Sequence, residues 1–392
     1  MFVIRKGRLM VKKIAYLLVI CMLFVAVGAL ASCVDRKGAE ESASESTLAS
    51  NSDTDNNNPD NSNAGNGNNE NSNNNNGNSS ESEKVKSIDL YIIAGQSNAT
   101  GHTKFDKTLL ASLWSDYAVG SSNVLYRGTA EYTLNVNTEN VSTDANEVFV
   151  WTNAKAGQGK TTAHMGAEVG MAAKLSSTYY TGDKVCGIIK YAHGGTSIFN
   201  SLSGENLANG NWASPSYADL IGVEYNGLTG NLYRNLLTEV RTSITQLQRS
   251  GYTEINLKGM FWMQGETDVG KPDSYAVAIE YFINDIRKDL GEIMGEDMSK
   301  LPIMIGEISR TFGSASESAI NRNETFIKMQ RNVAEDMDNV YIISSGKYEV
   351  TWLENGESVN GQDPYHWTTE LMFRIGELVA ECILENILKV NK

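Results

Sequence analysis

The folded part of this chain alternates short apolar runs with segments of helical spacing. Five apolar runs have the length of strands, and they cover residues 88–94, 185–192, 257–263, 302–306 and 339–344. Helical patterns occur near residues 164–178, 230–250, 273–290, 321–337 and 368–390. Because strands that alternate with helices pair in parallel, this order predicts an α/β fold with a doubly wound, mainly five-stranded parallel sheet flanked by helices.

Two stretches do not follow this alternation. Residues 99–160 are rich in Thr, Asn and Gly, and we expect a long excursion with irregular or small β elements there. Residues 196–229 form a second irregular stretch. Long loops above a rigid sheet often hold the substrate, so both stretches are candidates for the binding surface.

The first 32 residues have the features of a lipoprotein signal peptide. A basic start precedes an apolar stretch from Ile14 to Val27, and small residues come directly before Cys33. This stretch is shorter than the ~20 residues that a bilayer span requires, which disfavours the alternative of an uncleaved anchor. We therefore expect cleavage after residue 32 and a lipid on Cys33 that holds the protein on the extracellular face of the cell membrane.

Residues 33–86 are predicted to be a tether. After the lipidated cysteine, the segment consists mainly of Asn, Ser, Asp, Glu and Gly with almost no large apolar side chain. Such a composition buries too little surface to offset the entropy of ordering, so the tether is expected to be disordered. The folded domain is then predicted to span residues 87–392.

Charge and cysteine content restrict the partners. The formal net charge is −14, and loss of the basic signal peptide makes the mature chain more acidic. An acidic domain is not expected to bind nucleic acid, and membrane contact should come from the lipid alone. Cys186 and Cys382 lie in apolar segments and are expected to be buried free thiols. No Cys or His spacing indicates a metal site, and no cofactor is expected.

Four short motifs follow four of the predicted strands. They are Gly95-Gln96-Ser97-Asn98, His193-Gly194-Gly195, Gln264-Gly265-Glu266 and Asp363-Pro364-Tyr365-His366. Because the carboxyl ends of parallel strands meet at one edge of a sheet, we expect the four motifs to converge there. Ser97 alone is equally consistent with a capping serine in a tight turn, and the other three motifs make a nucleophile the better interpretation.

Ester hydrolysis by a serine requires a base, a group that orients the base, and donors for the oxyanion. His366 is the predicted base, because it alone among the four histidines has a carboxylate, Asp363, three residues earlier. The alternative is a surface histidine at a helix start. His102 is close enough to Ser97 in sequence to line the same pocket.

The oxyanion donors are predicted to be the Ser97 backbone N–H, a backbone N–H of Gly194 or Gly195, and the Gln264 side-chain amide. The neighbouring polar residues are expected to support the site or to contact substrate, and they are Gln96, Asn98 and Glu266. For Glu266, a second acid near the histidine and a structural loop carboxylate are both open.

The four motifs together resemble the SGNH hydrolase superfamily, and most closely its branch of sialate O-acetylesterases and acetylxylan esterases. The wider superfamily has an asparagine where this chain has Gln264, and the Gln-Gly-Glu form is the pattern of the carbohydrate-esterase branch. The resemblance implies a flavodoxin-like SGNH hydrolase fold, a Ser-His-Asp mechanism, and release of acetate from acetylated sugars or polysaccharides.

Two other functions compete with this interpretation. One is a non-catalytic carbohydrate-binding surface lipoprotein, which the full set of candidate catalytic residues disfavours. The other is an esterase or acyltransferase of different acyl specificity, which the acidic composition disfavours. The sugar stays open, because acetylated xylan and sialic acid both present acetyl esters.

Overall fold

A mixed sheet of seven strands forms the centre of the domain in a computed structural model. The structure describes residues 85–128, 150–199, 211–344, 346, 353–354, 357–358 and 364–390, all within a compact unit that spans Ser79–Lys392. The predicted signal peptide, Cys33 and the Asn-rich tether as far as residue 84 lie outside the described residues and stay predictions.

The main sheet has the strand order β4-β3-β6-β1-β7-β8-β9. All neighbours are parallel except β3 and β4. The strands are β1 (Ser87–Gly95), β3 (Val124–Gly128), β4 (Thr152–Asn153), β6 (Cys186–Ala192), β7 (Glu254–Met263), β8 (Ile303–Gly306) and β9 (Val340–Ile343). Four short strands pair outside it, namely β2 (Thr103–Lys104) with β5 (His164–Met165) and β10 (Leu353–Glu354) with β11 (Glu357–Ser358).

All five predicted strands are confirmed, and the sheet is larger than predicted. The additional strands, β3 and β4, lie within the excursion 99–160. The sequence pattern did not indicate β3 because Arg127 interrupts its apolar run. Arg127 is nevertheless buried, since its Nε lies 2.7 Å from the buried carboxylate Oε1 of Glu239.

Helices cover both faces of the sheet. The described helices are α1 (Ser97–Thr100), α2 (Lys107–Leu113), α3 (Glu168–Thr178), α4 (Pro215–Leu220), α5 (Asn231–Arg249), α6 (Pro272–Met294), α7 (Glu317–Asp336) and α8 (Thr369–Cys382), with a π-helical turn at Ile383–Ile387. Helices α5, α6 and α7 cover one face, whereas α3 and α8 cover the other. This arrangement is the doubly wound architecture that the sequence predicts.

Side chains of β1 alternate between the two cores. Leu90 and Ile92 pack on the face covered by α5 to α7, and Tyr91 and Ile93 pack on the face covered by α3 and α8. Since successive strand residues point to opposite faces, a strand between two helical layers is apolar throughout. This explains why residues 90–94 of β1 form a continuous apolar run in the sequence.

The two cysteines of the domain are free thiols, as predicted. Cys186 is buried in β6, and Cys382 at the end of α8 is half-buried. Burial raises the pKa of the Cys186 thiol well above its usual value. Within the described ranges, no helix is long and apolar enough to cross a membrane.

Candidate functional site

Ser97 lies in a tight turn at the carboxyl end of the central strand β1. Gly95 has φ +142°, and a Cβ there would lie 2.0 Å from the Met263 carbonyl oxygen, so only glycine fits. The next residue, Gln96, donates its backbone N–H to that same oxygen at 3.0 Å. The turn is therefore pressed against the end of β7, and it presents Ser97 as the first residue of α1.

The predicted glycine loop meets this turn. The backbone N–H of His193 donates to the Gly95 carbonyl oxygen at 3.1 Å, which places Gly194 and Gly195 directly beyond the serine turn. Gly195 has φ +68°, a conformation that favours glycine. Because β6, β1 and β7 are adjacent strands, the motifs that follow them share one edge of the sheet, as predicted.

Asn98 connects the serine turn to the histidine motif. Its Nδ2 donates to the Tyr365 carbonyl oxygen at 3.2 Å, and its Oδ1 accepts from the Trp367 backbone N–H at 3.4 Å. These two bonds lie on either side of His366. The residue after Ser97 thus fixes the backbone that carries the predicted base, and of the two roles expected for Asn98 these contacts favour support of the site.

His366 also packs against a second histidine of the serine motif region. The ring centroids of His102 and His366 are 4.8 Å apart. His102 in turn donates its backbone N–H to the Ser97 carbonyl oxygen at 3.2 Å. The structure therefore brings His366 and the Ser97 turn together. Asp363 lies outside the described residues, and its pairing with His366 stays a prediction.

Glu266 is a hydrogen-bond partner of Asn98. Its Oε1 accepts from Asn98 Nδ2 at 2.8 Å, and the carboxylate is buried, with 3% of its surface exposed. Burial raises the pKa of Glu266, and the bond from Asn98 opposes that rise. Of the roles that the sequence left open, the contact favours support of the site over a structural loop position.

Gln96 faces the protein interior. Its Oε1 accepts from the backbone N–H groups of Gly265 and Thr267, each at 3.3 Å. The side chain is 3% exposed. Gln96 therefore anchors the loop after β7, and of the two roles expected for it the described contacts favour support.

The Gln264 amide is engaged with the protein. Its Nε2 lies 2.7 Å from Asp268 Oδ2, 3.0 Å from the Thr196 carbonyl oxygen and 3.3 Å from Gln96 Oε1. An amide nitrogen carries only two hydrogens, so three acceptors compete for them. A donor role toward an oxyanion requires one hydrogen to turn away from these acceptors, and that role stays a prediction.

Asp268 is a site residue that the sequence analysis missed. Its carboxylate accepts from the Ser197 hydroxyl at 2.5 Å and from the Ile198 backbone N–H at 2.9 Å, in addition to Gln264. Burial raises its pKa, and these hydrogen bonds oppose the rise. Asp268 thus ties the loop after β6 to the loop after β7. An acid four residues after Gln264 was the one available signal.

Basic side chains gather beside His366. Burial lowers the pKa of His164, and the neighbouring charges of His102, Lys160, His366 and Lys104 lower it further. His164 and Lys104 are register partners in the β2–β5 pair. The described part of the chain contains no group of three or more His, Cys, Asp or Glu side chains placed to hold a metal ion.

Comparison with solved structures finds similar folds. A protein from Arabidopsis thaliana is 19% identical, with 77% of this chain and 99% of that chain covered and a TM-score of 0.48. NanS is 13% identical over 77% of this chain and 98% of that one, with a TM-score of 0.47. A carbohydrate acetylesterase from Xanthomonas citri is 16% identical, over 77% and 56%, with a TM-score of 0.47.

Comparison with curated proteins gives no match. The model of the family described as "Carbohydrate esterase, sialic acid-specific acetylesterase" matches residues 87–385, and the chain belongs to this family.

Proposed function

We propose that the protein is a carbohydrate O-acetylesterase in which Ser97 is the nucleophile, His366 the base and Asp363 the residue that orients the base. The observation that carries the proposal is the pair of Asn98 hydrogen bonds, which hold the backbone on both sides of His366 beside the Ser97 turn. Family membership supports the ester class of the substrate.

The proposed reaction proceeds in two halves. Neutral His366 takes the Ser97 hydroxyl proton as Oγ attacks the acetyl carbonyl carbon, and a tetrahedral oxyanion forms. The imidazolium then gives its proton to the departing sugar oxygen as the C–O bond breaks, which leaves an acetyl ester on Ser97. A water molecule, deprotonated by His366, attacks this ester, and collapse of the second tetrahedral species returns the proton to Ser97 and releases acetate.

The oxyanion is proposed to bind to the Ser97 backbone N–H, to one of Gly194 and Gly195, and to Gln264. The first two are backbone groups in tight turns at the strand ends. Gln264 is held over the same loops by Asp268 and Thr196. The two backbone donors are fixed before the reaction and stabilise the developing charge without reorganisation, whereas Gln264 has to turn one N–H toward it.

Gln264→Ala is expected to lower kcat by roughly 10²–10³ with little change in KM, because the amide is proposed to bind only the charged intermediate. Steady-state kinetics on 4-nitrophenyl acetate check this. Thr267→Ala serves as a control on the same loop, since only its backbone N–H contacts Gln96. An unchanged kcat with a raised KM would assign Gln264 to substrate binding.

An aromatic side chain stands next to His366. Tyr365 is 51% exposed, and its ring packs edge-on against Phe312 with centroids 5.5 Å apart. Its backbone is fixed as well, because the Pro364 carbonyl oxygen accepts from the Gly313 N–H at 2.9 Å and the Tyr365 carbonyl oxygen accepts from Asn98. A rigid, exposed ring gives contact area at low entropic cost, which suits packing against a sugar ring.

Tyr365→Ala is expected to raise KM for an acetylated sugar about tenfold and to leave kcat/KM on 4-nitrophenyl acetate nearly unchanged. The reason is that the ring is proposed to contact the sugar and not the acetyl group. Tyr365→Trp keeps an aromatic surface and should retain affinity for the sugar. An equal loss of kcat/KM on both esters would instead mean that Tyr365 acts by holding His366 in position.

The charges beside His366 favour an acidic sugar among the two classes that the sequence left open. Lys104 and Lys160 place positive charge beside His164, close to His366, on a chain whose net charge is −14. A carboxylate-bearing sugar such as sialic acid fits this field better than neutral xylan.

The experiment that tests the proposed function incubates the full chain with O-acetylated sialic acid and with acetylated xylo-oligosaccharides. Acetate release is measured directly, and mass spectrometry records the loss of acetyl groups. Acetate release from either sugar supports the function, and the ratio of kcat/KM values identifies the preferred class. Faster hydrolysis of long-chain acyl esters than of acetyl esters would contradict it.

A further inference from the structure

We propose that the buried pair Lys190 and Glu168 positions the nucleophile by fixing the far end of the helix that carries Ser97. The inference rests on the proposed role of Ser97. It concerns residues that play no part in the reaction steps above, and it assigns them a function at the Thr100 end of that helix.

Lys190 lies in the middle of β6, and 1% of its surface is exposed. Its Nζ donates to the Thr100 carbonyl oxygen at 2.9 Å and to the Gln158 carbonyl oxygen at 3.0 Å, and it lies 3.0 Å from Glu168 Oε2. An ammonium group has three N–H donors. Two of these contacts are hydrogen bonds to backbone carbonyl oxygens, and the third is an ion pair, so the ammonium group is held in one fixed arrangement.

Stability alone does not account for a lysine at this position. The other residues of β6 are Cys, Gly, Ile, Tyr and Ala, and the strand is buried over its full length. Burial of an ammonium and a carboxylate is costly, and apolar side chains of similar volume often serve the core equally well or better. Lysine differs from such side chains in that it donates hydrogen bonds to two defined backbone oxygens and pairs with a carboxylate.

The contact with Thr100 reaches Ser97 through a single helical turn. Helix α1 contains only Ser97–Thr100. Thr100 donates its backbone N–H to the Gln96 carbonyl oxygen at 2.8 Å, and Gly101 donates to the Ser97 carbonyl oxygen at 2.9 Å. One turn is too short to be stable alone, so its position depends on outside contacts. A shift of the Thr100 carbonyl group therefore shifts Ser97.

The same ammonium fixes the segment that approaches from the other side. The Gln158 carbonyl oxygen accepts from Lys190, and it also accepts from the Tyr126 hydroxyl at 3.0 Å. Two residues later, Lys160 donates its backbone N–H to the Gly101 carbonyl oxygen at 2.9 Å. Lys190 thus joins the serine turn, the 158–160 segment and α3, which contributes Glu168.

The chain contains a matched control pair on the next strand. Arg127 of β3 and Glu239 of α5 are equally buried, each with 1% side-chain exposure, and their charged atoms are 2.7 Å apart. The described hydrogen bonds of Arg127 go to residues of α5, namely Glu239, Ser243 and Gln246. This pair joins a helix to the sheet and has no described bond to α1.

The test compares Lys190→Met with Arg127→Met in the full chain. Both variants leave a buried carboxylate without its cation, so both should lower the midpoint of urea unfolding. Only Lys190→Met is expected to lower kcat on 4-nitrophenyl acetate, by about 10- to 100-fold at unchanged KM, because a small misplacement of the attacking atom is costly. The rate at which a fluorophosphonate labels Ser97 should fall by a similar factor.

The double variant Lys190→Met/Glu168→Leu separates positioning from stability. Removal of both charges should restore most of the unfolding midpoint, and kcat should stay low because no donor holds Thr100. Recovery of kcat together with stability would overturn the proposal, as would an equal loss of kcat in Arg127→Met. The double variant also carries the test if Lys190→Met does not fold.

The labelling rate keeps this test distinct from that of the proposed function. If the wild-type chain is labelled at Ser97 and releases no acetate, the esterase function fails, and the labelling rates of the variants still decide the role of Lys190. If the wild-type chain hydrolyses acetyl esters and Lys190→Met labels at the wild-type rate, the positioning role alone is wrong.

Discussion

Ser97→Ala is expected to abolish acetate release from both 4-nitrophenyl acetate and acetylated sugars. The hydroxyl is the proposed nucleophile, and loss of a triad member typically lowers kcat by several orders of magnitude. The substitution is small and the residue already lies in a helical turn, so the fold should be kept. Hydrolysis rates measured beside circular dichroism spectra check both statements.

A matched serine makes this result specific. Ser112 is an exposed residue of α2, and Ser112→Ala should keep the wild-type rate. If folded Ser97→Ala protein kept more than about a tenth of the activity, the turn after β1 would not carry the nucleophile. The non-catalytic alternative, a sugar-binding lipoprotein, is separated by the same experiment, because it requires an inactive wild-type chain.

The fold was largely predictable because its strands are buried on both faces. Residues 90–94 of β1 and the whole of β8 have no polar side chain, and the alternation of such runs with helices fixes a parallel sheet. The β3 strand was not predictable in the same way. Its Arg127 belongs in a core only because Glu239, from a helix more than a hundred residues later, neutralises it there.

The same reason explains what was missed in the site. Strand ends can be located in a sequence, so Ser97, Gly194, Gln264 and His366 were placed at one edge correctly. Asp268 accepts hydrogen bonds from Ser197 and Ile198 because the loop after β6 meets the loop after β7. No spacing in the sequence indicates that contact.

Lys190 shows that a charged residue inside a correctly predicted strand can also be misjudged from the sequence. It falls inside the predicted apolar run 185–192, where a lysine would ordinarily argue against burial. The structure resolves the conflict through Glu168 and two carbonyl oxygens, all distant in sequence. Buried charge inside a strand is therefore a signal of long-range partners, although it does not identify them.

The resemblance to carbohydrate esterases, drawn from four short motifs, is confirmed by the family match over residues 87–385. The motifs were informative because each follows a strand whose end faces the same edge. The roles of the individual residues within them stay proposals, and the two histidines at the site make the sharpest test of those roles.

His366→Ala is expected to lower kcat on 4-nitrophenyl acetate by several orders of magnitude, because no other group is proposed to take the Ser97 proton. The loss should appear in kcat, since the imidazole acts in the transition state and contributes little to binding of a small ester. Fluorophosphonate labelling of Ser97 should slow in parallel, because that reaction also needs an activated hydroxyl.

His102→Ala is the matched comparison for this prediction. The two rings pack together with centroids 4.8 Å apart, so either imidazole lies close to the Ser97 turn. Of the two histidines, only His366 has its backbone held on both sides by Asn98, through the hydrogen bonds with Tyr365 and Trp367. A base needs a fixed backbone in order to reach its proton at a defined distance. His102→Ala should therefore cost no more than about tenfold in kcat, through loosened packing of the His366 ring. A larger loss of kcat in His102→Ala than in His366→Ala would make His102 the base. The hydrogen bonds of Asn98 with Tyr365 and Trp367 would then have to be explained by substrate binding.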